Sequence, residues 1–295
     1  MCIRDRYYPG CSLSGTAKEF DLSLKEVLKY LDTDLLEIND WCCCGASSAH
    51  SASHLLSVAL PARNLILAKE QGMKEIVAPC AACFNRLKVA QHELQNDEHI
   101  RINTEELLDT KYSDGINVLN LISLFQQIGL EKIKSNAKVD FSKLNVACYY
   151  GCLLVRPHDI LKFDDPENPT TMEEVVKATG AKPVDWNFKV ECCGAAHSIA
   201  HTEIVENLSM KILDDAINYK ANVIVVACPM CHSNLDMRQK NIIKHNPGRN
   251  KIPILYLSQL IGLSLGLDHK KLGLDLHFID TAPLIASLSE NEVAV

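Results

Sequence analysis

The sequence predicts an α/β protein made of two tandem, pseudo-symmetric copies of one unit, each built around a mostly parallel sheet. Three observations lead there. Landmarks recur in one order in the two halves: YYPGC (Tyr7 to Cys11) with YYGC (Tyr149 to Cys152), CCGASSAHS (from Cys43) with CCGAAHS (from Cys192), EIVAPCAAC (Glu75 to Cys83) with VIVVACPMC (Val223 to Cys231), and INVLNLISLFQQIGL (116–130) with IPILYLSQLIGL (252–263). The β-branched runs EIVAPC and NVIVVACP are short and apolar, as buried parallel strands are. Helical patterns lie between the landmarks, and strand alternating with helix is the signature of a parallel sheet covered by helices.

Taken in order, the chain opens on MCIRDR, which is charged where a first strand would be apolar and resembles translated sequencing adapter. The first unit is therefore expected over residues 7–135 and the second over 136–295, with residues 1–6, Cys2 included, outside both. The join falls in the polar stretch EKIKSNAKVDFSK (131–143). SASHLLSVALPARNLILAKEQG (51–72) carries apolar residues at helical spacing and ends at Gly72, while Pro61 is expected to kink or divide it. Its counterpart TEIVENLSMKILDDAINYKA (202–221) is a cleaner amphipathic helix. The cysteines then fall near strand ends where helices begin, the place where open α/β sheets hold ligands.

Composition narrows the function. A chain of 295 residues, 47% hydrophobic and 23% charged, suits two soluble domains. A net charge of −7 with no basic block argues against nucleic acid or an anionic membrane as partner. No apolar run reaches the roughly 18 residues of a membrane span; the longest, IPILYLSQLIGLSLGL, is interrupted by Pro253. With no secretory signal before Tyr7, a cytoplasmic location is expected, where thiols stay reduced.

The 13 cysteines are therefore read as metal ligands or redox groups. Each half offers a lone thiol, an adjacent pair and a CxxC: Cys11, Cys43, Cys44, Cys80 and Cys83, then Cys152, Cys192, Cys193, Cys228 and Cys231. One tetrahedral zinc takes four ligands, and a thioredoxin-type CxxC has no use for the other three thiols. Five thiolates suit an iron–sulfur cluster, with one structural zinc per unit plus a spare thiol as the competing reading. Gly45 and Gly194 are expected to let the backbone pass close to the inorganic core. Cys42 and Cys148 have no counterpart and read as spare thiols, although Trp41-Cys42-Cys43-Cys44-Gly45 leaves open a one-residue slip to Cys42. His50 aligns with His197; both are weak candidates for a hydrogen bond to sulfide or for proton donation.

The pattern Cys, Cys-Cys-Gly, Cys-x-x-Cys, present twice, resembles the CCG domain pair of the heterodisulfide reductase B subunit, and YYGCLLVRP (149–157) resembles the opening of that family's second domain. The same domain recurs in iron–sulfur subunits for glycolate, lactate and glycerol-3-phosphate oxidation and in a thiol-dependent fumarate reductase. The resemblance spans nearly the whole chain. It implies tandem Rossmann-like CCG domains, each with a noncubane 4Fe–4S cluster near the domain interface. Carried over residue by residue, Cys11, Cys43, Cys44, Cys80 and Cys83 would hold one cluster, and Cys152, Cys192, Cys193, Cys228 and Cys231 the other. The implied reaction is reduction of a CoM-S-S-CoB-type disulfide in two one-electron steps. No ferredoxin-type CxxCxxCxxxCP run occurs, so electrons are expected from another polypeptide. By resemblance that is the complex's ferredoxin-like C subunit, fed by its flavin-containing A subunit. The alternative is an electron-transfer subunit of a lactate- or glycolate-type hydroxy-acid dehydrogenase.

Overall fold

The computed structural model describes residues 3–46 and 48–289. Residues 1 and 2, and with them Cys2, lie outside the described residues. The first sheet contains β1 (Ile3–Tyr7), β2 (Thr33–Glu37), β3 (Glu75–Val77) and β4 (Asn117–Leu119), in the order β2-β1-β3-β4. The second contains β5 (Asn145–Tyr149), β6 (Lys182–Pro183), β7 (Val223–Val226) and β8 (Ile254–Tyr256), in the order β6-β5-β7-β8. Every pairing is parallel. The repeat in the sequence is thus a repeat of topology, with both sheets wound outward in two directions from their first and third strands.

The expected strands lie where the β-branched runs placed them. Val223–Val226 is buried at every position, the mark of a strand covered on both faces. At the other end, β1 begins at Ile3, so the sheet takes in Ile3–Arg6, ahead of the expected first unit at Tyr7. Its register with β2 runs from Ile3↔Thr33 to Tyr7↔Glu37. Pro61 does not divide its helix, which runs unbroken over His54–Glu70. The break before it is at Ser53, whose hydroxyl caps Leu56 N–H, and Pro61 is itself buried, so packing offsets the single backbone hydrogen bond that proline removes.

The two halves are joined by an exchange of helices. The helix Lys18–Tyr30 packs against Leu257–Ser264 of the second half, while Thr171–Ala178 packs against Leu121–Ile128 and Leu130–Asn136 of the first. Phe20 stacks on Tyr256 at 4.1 Å between ring centroids, and Ser23 and Ser258 share a buried hydroxyl hydrogen bond of 2.7 Å. Asn85 donates to the carbonyls of Leu153 (3.0 Å) and Arg156 (2.7 Å) on the opposite side. A continuous apolar core runs through both sheets and the join, with a smaller separate cluster of Val58, Ala62, Ala90 and Leu94 in the first half.

Candidate metal centre

All ten paired cysteines lie beyond the C-terminal ends of strands. Cys11 is in the short helix Gly10–Ser14 after β1, Cys43 and Cys44 follow β2, and Cys80 caps the helix Ala81–Asn96, with Cys83 in its first turn. Cys152 follows β5, Cys192 and Cys193 follow β6, and Cys228 caps the helix Pro229–Met237, with Cys231 in its first turn. In the first group the Sγ atoms of Cys11 and Cys43 are 3.4 Å apart, as are those of Cys44 and Cys83. In the second, Cys193 and Cys231 are 3.6 Å apart, and Cys152 and Cys192 lie near enough to perturb each other's ionisation. The groups abut: Ala81 N–H donates to Ala227 O at 3.2 Å across the join, each next in sequence to a CxxC cysteine, and the Cys80 and Cys228 thiols lie near enough to perturb each other's ionisation. None of the twelve described cysteines is in a disulfide.

The backbone around each group is shaped for sulfur. Gly10 and Gly151 both have φ of +65°, and a Cβ there would stand 2.8 Å from Cys83 Sγ and 3.0 Å from Cys231 Sγ. Only glycine leaves room for those thiols. Gly45 and Gly194 have a packing role besides the close approach expected of them. Their N–H groups do reach Cys43 Sγ (3.4 Å) and Cys192 Sγ (3.3 Å), but the space that a Cβ would take is filled by Ala49 and Leu60 and by Leu208 and Val205. The missing side chain therefore serves helix packing.

A third correspondence shows which cysteines occupy equivalent places. Tyr8 donates to the carbonyl of Cys42 (2.8 Å) and Tyr149 to that of Glu191 (2.5 Å), in each half the residue just before the Cys-Cys pair. Cys43 and Cys44 thus stand where Cys192 and Cys193 stand. Cys42 turns its Sγ to the carbonyl of Leu60 at 3.6 Å, away from the group. Cys148 is buried within β5. His50 and His197 are both exposed; His197 lies close enough to Cys192 to favour its thiolate, and no hydrogen bond among the described residues ties His50 to a cysteine.

The thiols perturb one another. Neighbouring thiols (Cys11, then Cys44) and the Gly45 N–H hold Cys43 well below the usual thiol range, and Cys152, with the N–H groups of Gly194 and Ala195, does the same for Cys192. Their neighbours move the other way: Cys11 is pushed up first by its bond to Cys43, and Cys83 and Cys231 by neighbouring thiols and burial. Adjacent thiols thus resist ionising together. Holding five as thiolates takes a cationic centre, and five sulfurs exceed what one zinc ion binds. The donor set and the two glycine cradles fit a multi-iron cluster in each half.

Another group of potential ligands, His232, Asp236 and His277, brings its donor atoms within 4.8 Å of one another. Several of their atoms already have partners. His232 Nε2 pairs with Ile254 O (3.1 Å), Asp236 accepts from Phe278 N–H (2.7 Å) and Ile279 N–H (3.1 Å), and Gln259 donates to His277 Nε2 (2.8 Å). With His277 Nε2 accepting, its Nδ1 carries the proton and is buried without a partner, while the other bonds of the trio tie the second CxxC helix to β8 and to the segment after residue 272.

Sequence reasoning did not single out Tyr8, Tyr149, Gly10 and Gly151 as site residues, although their signal lay in the shared YYPGC and YYGC. Asn234 had no such signal: its amide donates to Cys193 O (3.2 Å) and Sγ (3.5 Å), yet its counterpart in the first half is Arg86.

A family model described as a cysteine-rich domain, CCG, matches residues 6–88 and 146–236. The 8-methylmenaquinol:fumarate reductase membrane anchor subunit of Wolinella succinogenes is 34% identical over 94% of this chain and 98% of its own. The B subunit of the ferredoxin/F420H2-dependent CoB-CoM heterodisulfide reductase of Methanosarcina acetivorans is 31% identical, covering 96% of each chain. Among solved structures, a hypothetical protein from Helicobacter pylori superposes with a TM-score of 0.73 at 14% identity, over 93% of this chain and about half of that protein (51%), a likeness of fold. No helix among the described residues is long and apolar enough to cross a membrane. With both CCG matches covering the two thiol groups, the chain belongs to the CCG cysteine-rich domain family and has heterodisulfide reductase B subunits among its relatives.

Proposed function

We propose that this protein is the disulfide-reducing iron–sulfur subunit of a heterodisulfide-reductase-like complex. It would hold one noncubane 4Fe–4S cluster on Cys11, Cys43, Cys44, Cys80 and Cys83, and another on Cys152, Cys192, Cys193, Cys228 and Cys231. The observation that carries this reading is the pair of matching five-thiol groups brought together at the join, where Ala81 N–H, beside Cys80, bonds Ala227 O, beside Cys228, at 3.2 Å. When bound, the two clusters supply two single electrons, the number a disulfide needs.

The chain contributes the setting. Gly10 and Gly151 open room beside the thiols, and Tyr8 and Tyr149 fix the loops that carry the cysteine pairs. The exchanged helices pack the halves that carry the two groups against one another. Cys11 and Cys192 remain exposed, so one thiol of each group is open to solvent. A cavity of about 230 Å³ lies between the halves, bounded by Ser12 next to Cys11, by Met230 inside the second CxxC and by Asn234. It is of a size to take part of a small disulfide of the kind named for the methanogen relatives. Electrons would enter from the ferredoxin-like C subunit, itself served by the flavin-containing A subunit, in the cytoplasm.

Iron and acid-labile sulfide analysis of anaerobically purified protein tests the cluster assignment. About eight of each per chain, with negligible zinc, is expected. Stoichiometric zinc without iron would overturn it. The Wolinella relative, a subunit of a fumarate reductase by name, favours a second reading, an electron-transfer subunit whose electrons end on an acceptor other than a disulfide; the hydroxy-acid dehydrogenase alternative is of the same kind. A change in the cluster spectrum on adding disulfide separates the two, since a pure relay has no reason to respond.

A further inference from the structure

The two thiol groups match in sulfur but not in their nearest donors. Three residues after the second cysteine of each CxxC, on the helix face that carries that cysteine, stands Asn234 in the second half and Arg86 in the first. Asn234 is fully engaged: its amide nitrogen serves Cys193, and its oxygen accepts from Ser198 Oγ at 2.9 Å. Arg86 makes no hydrogen bond or ion pair among the described residues, and its Nε is buried without a partner. A guanidinium donor so placed is costly unless something absent from the polypeptide accepts from it. The aligned Asn234 points to what that is, since the donor at this position serves sulfur.

We infer that Arg86 is the electrostatic partner of the cluster in the first half, and that it makes the two clusters unequal, so that the first electron to arrive is held in the first half. The inference rests on the proposed cluster assignment. A reduced cluster carries one more negative charge, and a fixed cation with a buried N–H donor stabilises that charge more than a neutral amide does. Arg238 is the comparable cation in the second half. Its Nε is also buried without a partner, but it lies seven residues past Cys231, and its guanidinium donates to Ser198 O at 2.7 Å. It therefore holds the loop after Cys193 and is the natural control.

The test is a redox titration of the iron-loaded protein followed by electron paramagnetic resonance, with iron content measured on the same samples. Wild type should show two midpoint potentials. Arg86→Gln should lower the higher one and leave the lower in place, Arg86→Lys should restore most of the shift, and Arg238→Gln should leave the higher one unmoved. In a Cys83→Ser background, where the first cluster is lost, Arg86→Gln should have no effect. One shared potential in wild type, or an Arg86→Gln protein with full iron and unshifted potentials, would overturn the inference while leaving the cluster assignment intact. Absence of iron would overturn both.

Discussion

A thiol group that binds a cluster depends on atoms that are missing as much as on those present. At Gly10 and Gly151 an added Cβ meets a cysteine sulfur, and L side chains rarely adopt the backbone there. Gly10→Ala or Gly151→Ala should cost about 1–3 kcal/mol in stability from strain and displace the cluster of that half. Iron should fall by about half in each, read by metal analysis and by the denaturant midpoint; full iron in both would contradict the cradle. The cysteines themselves divide by direction. Cys42→Ser should leave iron nearly unchanged, because its sulfur faces Leu60, and Cys148→Ser likewise, because that thiol is buried in β5. Cys43→Ser or Cys193→Ser should remove about half the iron. Loss of iron from Cys42→Ser but not from Cys44→Ser would mean that the first group is displaced by one residue. The paired cysteines were legible from sequence because one pattern occurs twice. The register at Cys42 was not, since adjacent identical residues carry no order until Tyr8 shows which carbonyl it holds.

At the scale of elements, the parallel strands and the helix after each cysteine pair follow from β-branched runs and helical spacing. What those patterns could not give is partnership. The exchange in which Lys18–Tyr30 packs on Leu257–Ser264, and Thr171–Ala178 on the first half, depends on shapes such as the Phe20–Tyr256 stack that are set only in three dimensions. The segment after residue 272 is held in a similar way, by Asp236 in the second CxxC helix accepting from Phe278 and Ile279 N–H. Burial pushes this carboxyl up to about 6 from its ordinary 3.8, more strongly than the two N–H groups pull it down. The sign follows from proton binding. Between those pH values the folded chain binds more protons than the unfolded one, so Asp236's contribution to stability is greatest below the lower value, falls as pH rises through the window and is level above it. The full difference is about 3 kcal/mol. Asp236→Asn should therefore flatten the dependence of stability on pH between about 4 and 6, measured by urea unfolding. An unchanged slope would assign that dependence to other groups, such as the half-buried Glu19, whose pKa burial also raises.

For the molecule as a whole, duplication supplies two equivalent thiol groups, and the join brings them together. That both halves carry the complete set was visible in the sequence. That the two CxxC segments meet, Ala81 N–H against Ala227 O, was not, because contact across the join leaves no periodic trace in either repeat. The proposal needs both groups for chemistry and not only for stability, by electron counting: one remaining cluster can give one electron, and a disulfide takes two. A relay would behave otherwise, since only a cluster on the path to its partner would matter. The most direct measurement is reduction of a candidate disulfide by folded Cys83→Ser and Cys231→Ser proteins, each supplied with the reduced ferredoxin-like partner and each verified to retain its other cluster. The account predicts that either substitution alone abolishes turnover while the surviving cluster can still be reduced. Substantial turnover by a variant with one verified cluster would contradict it.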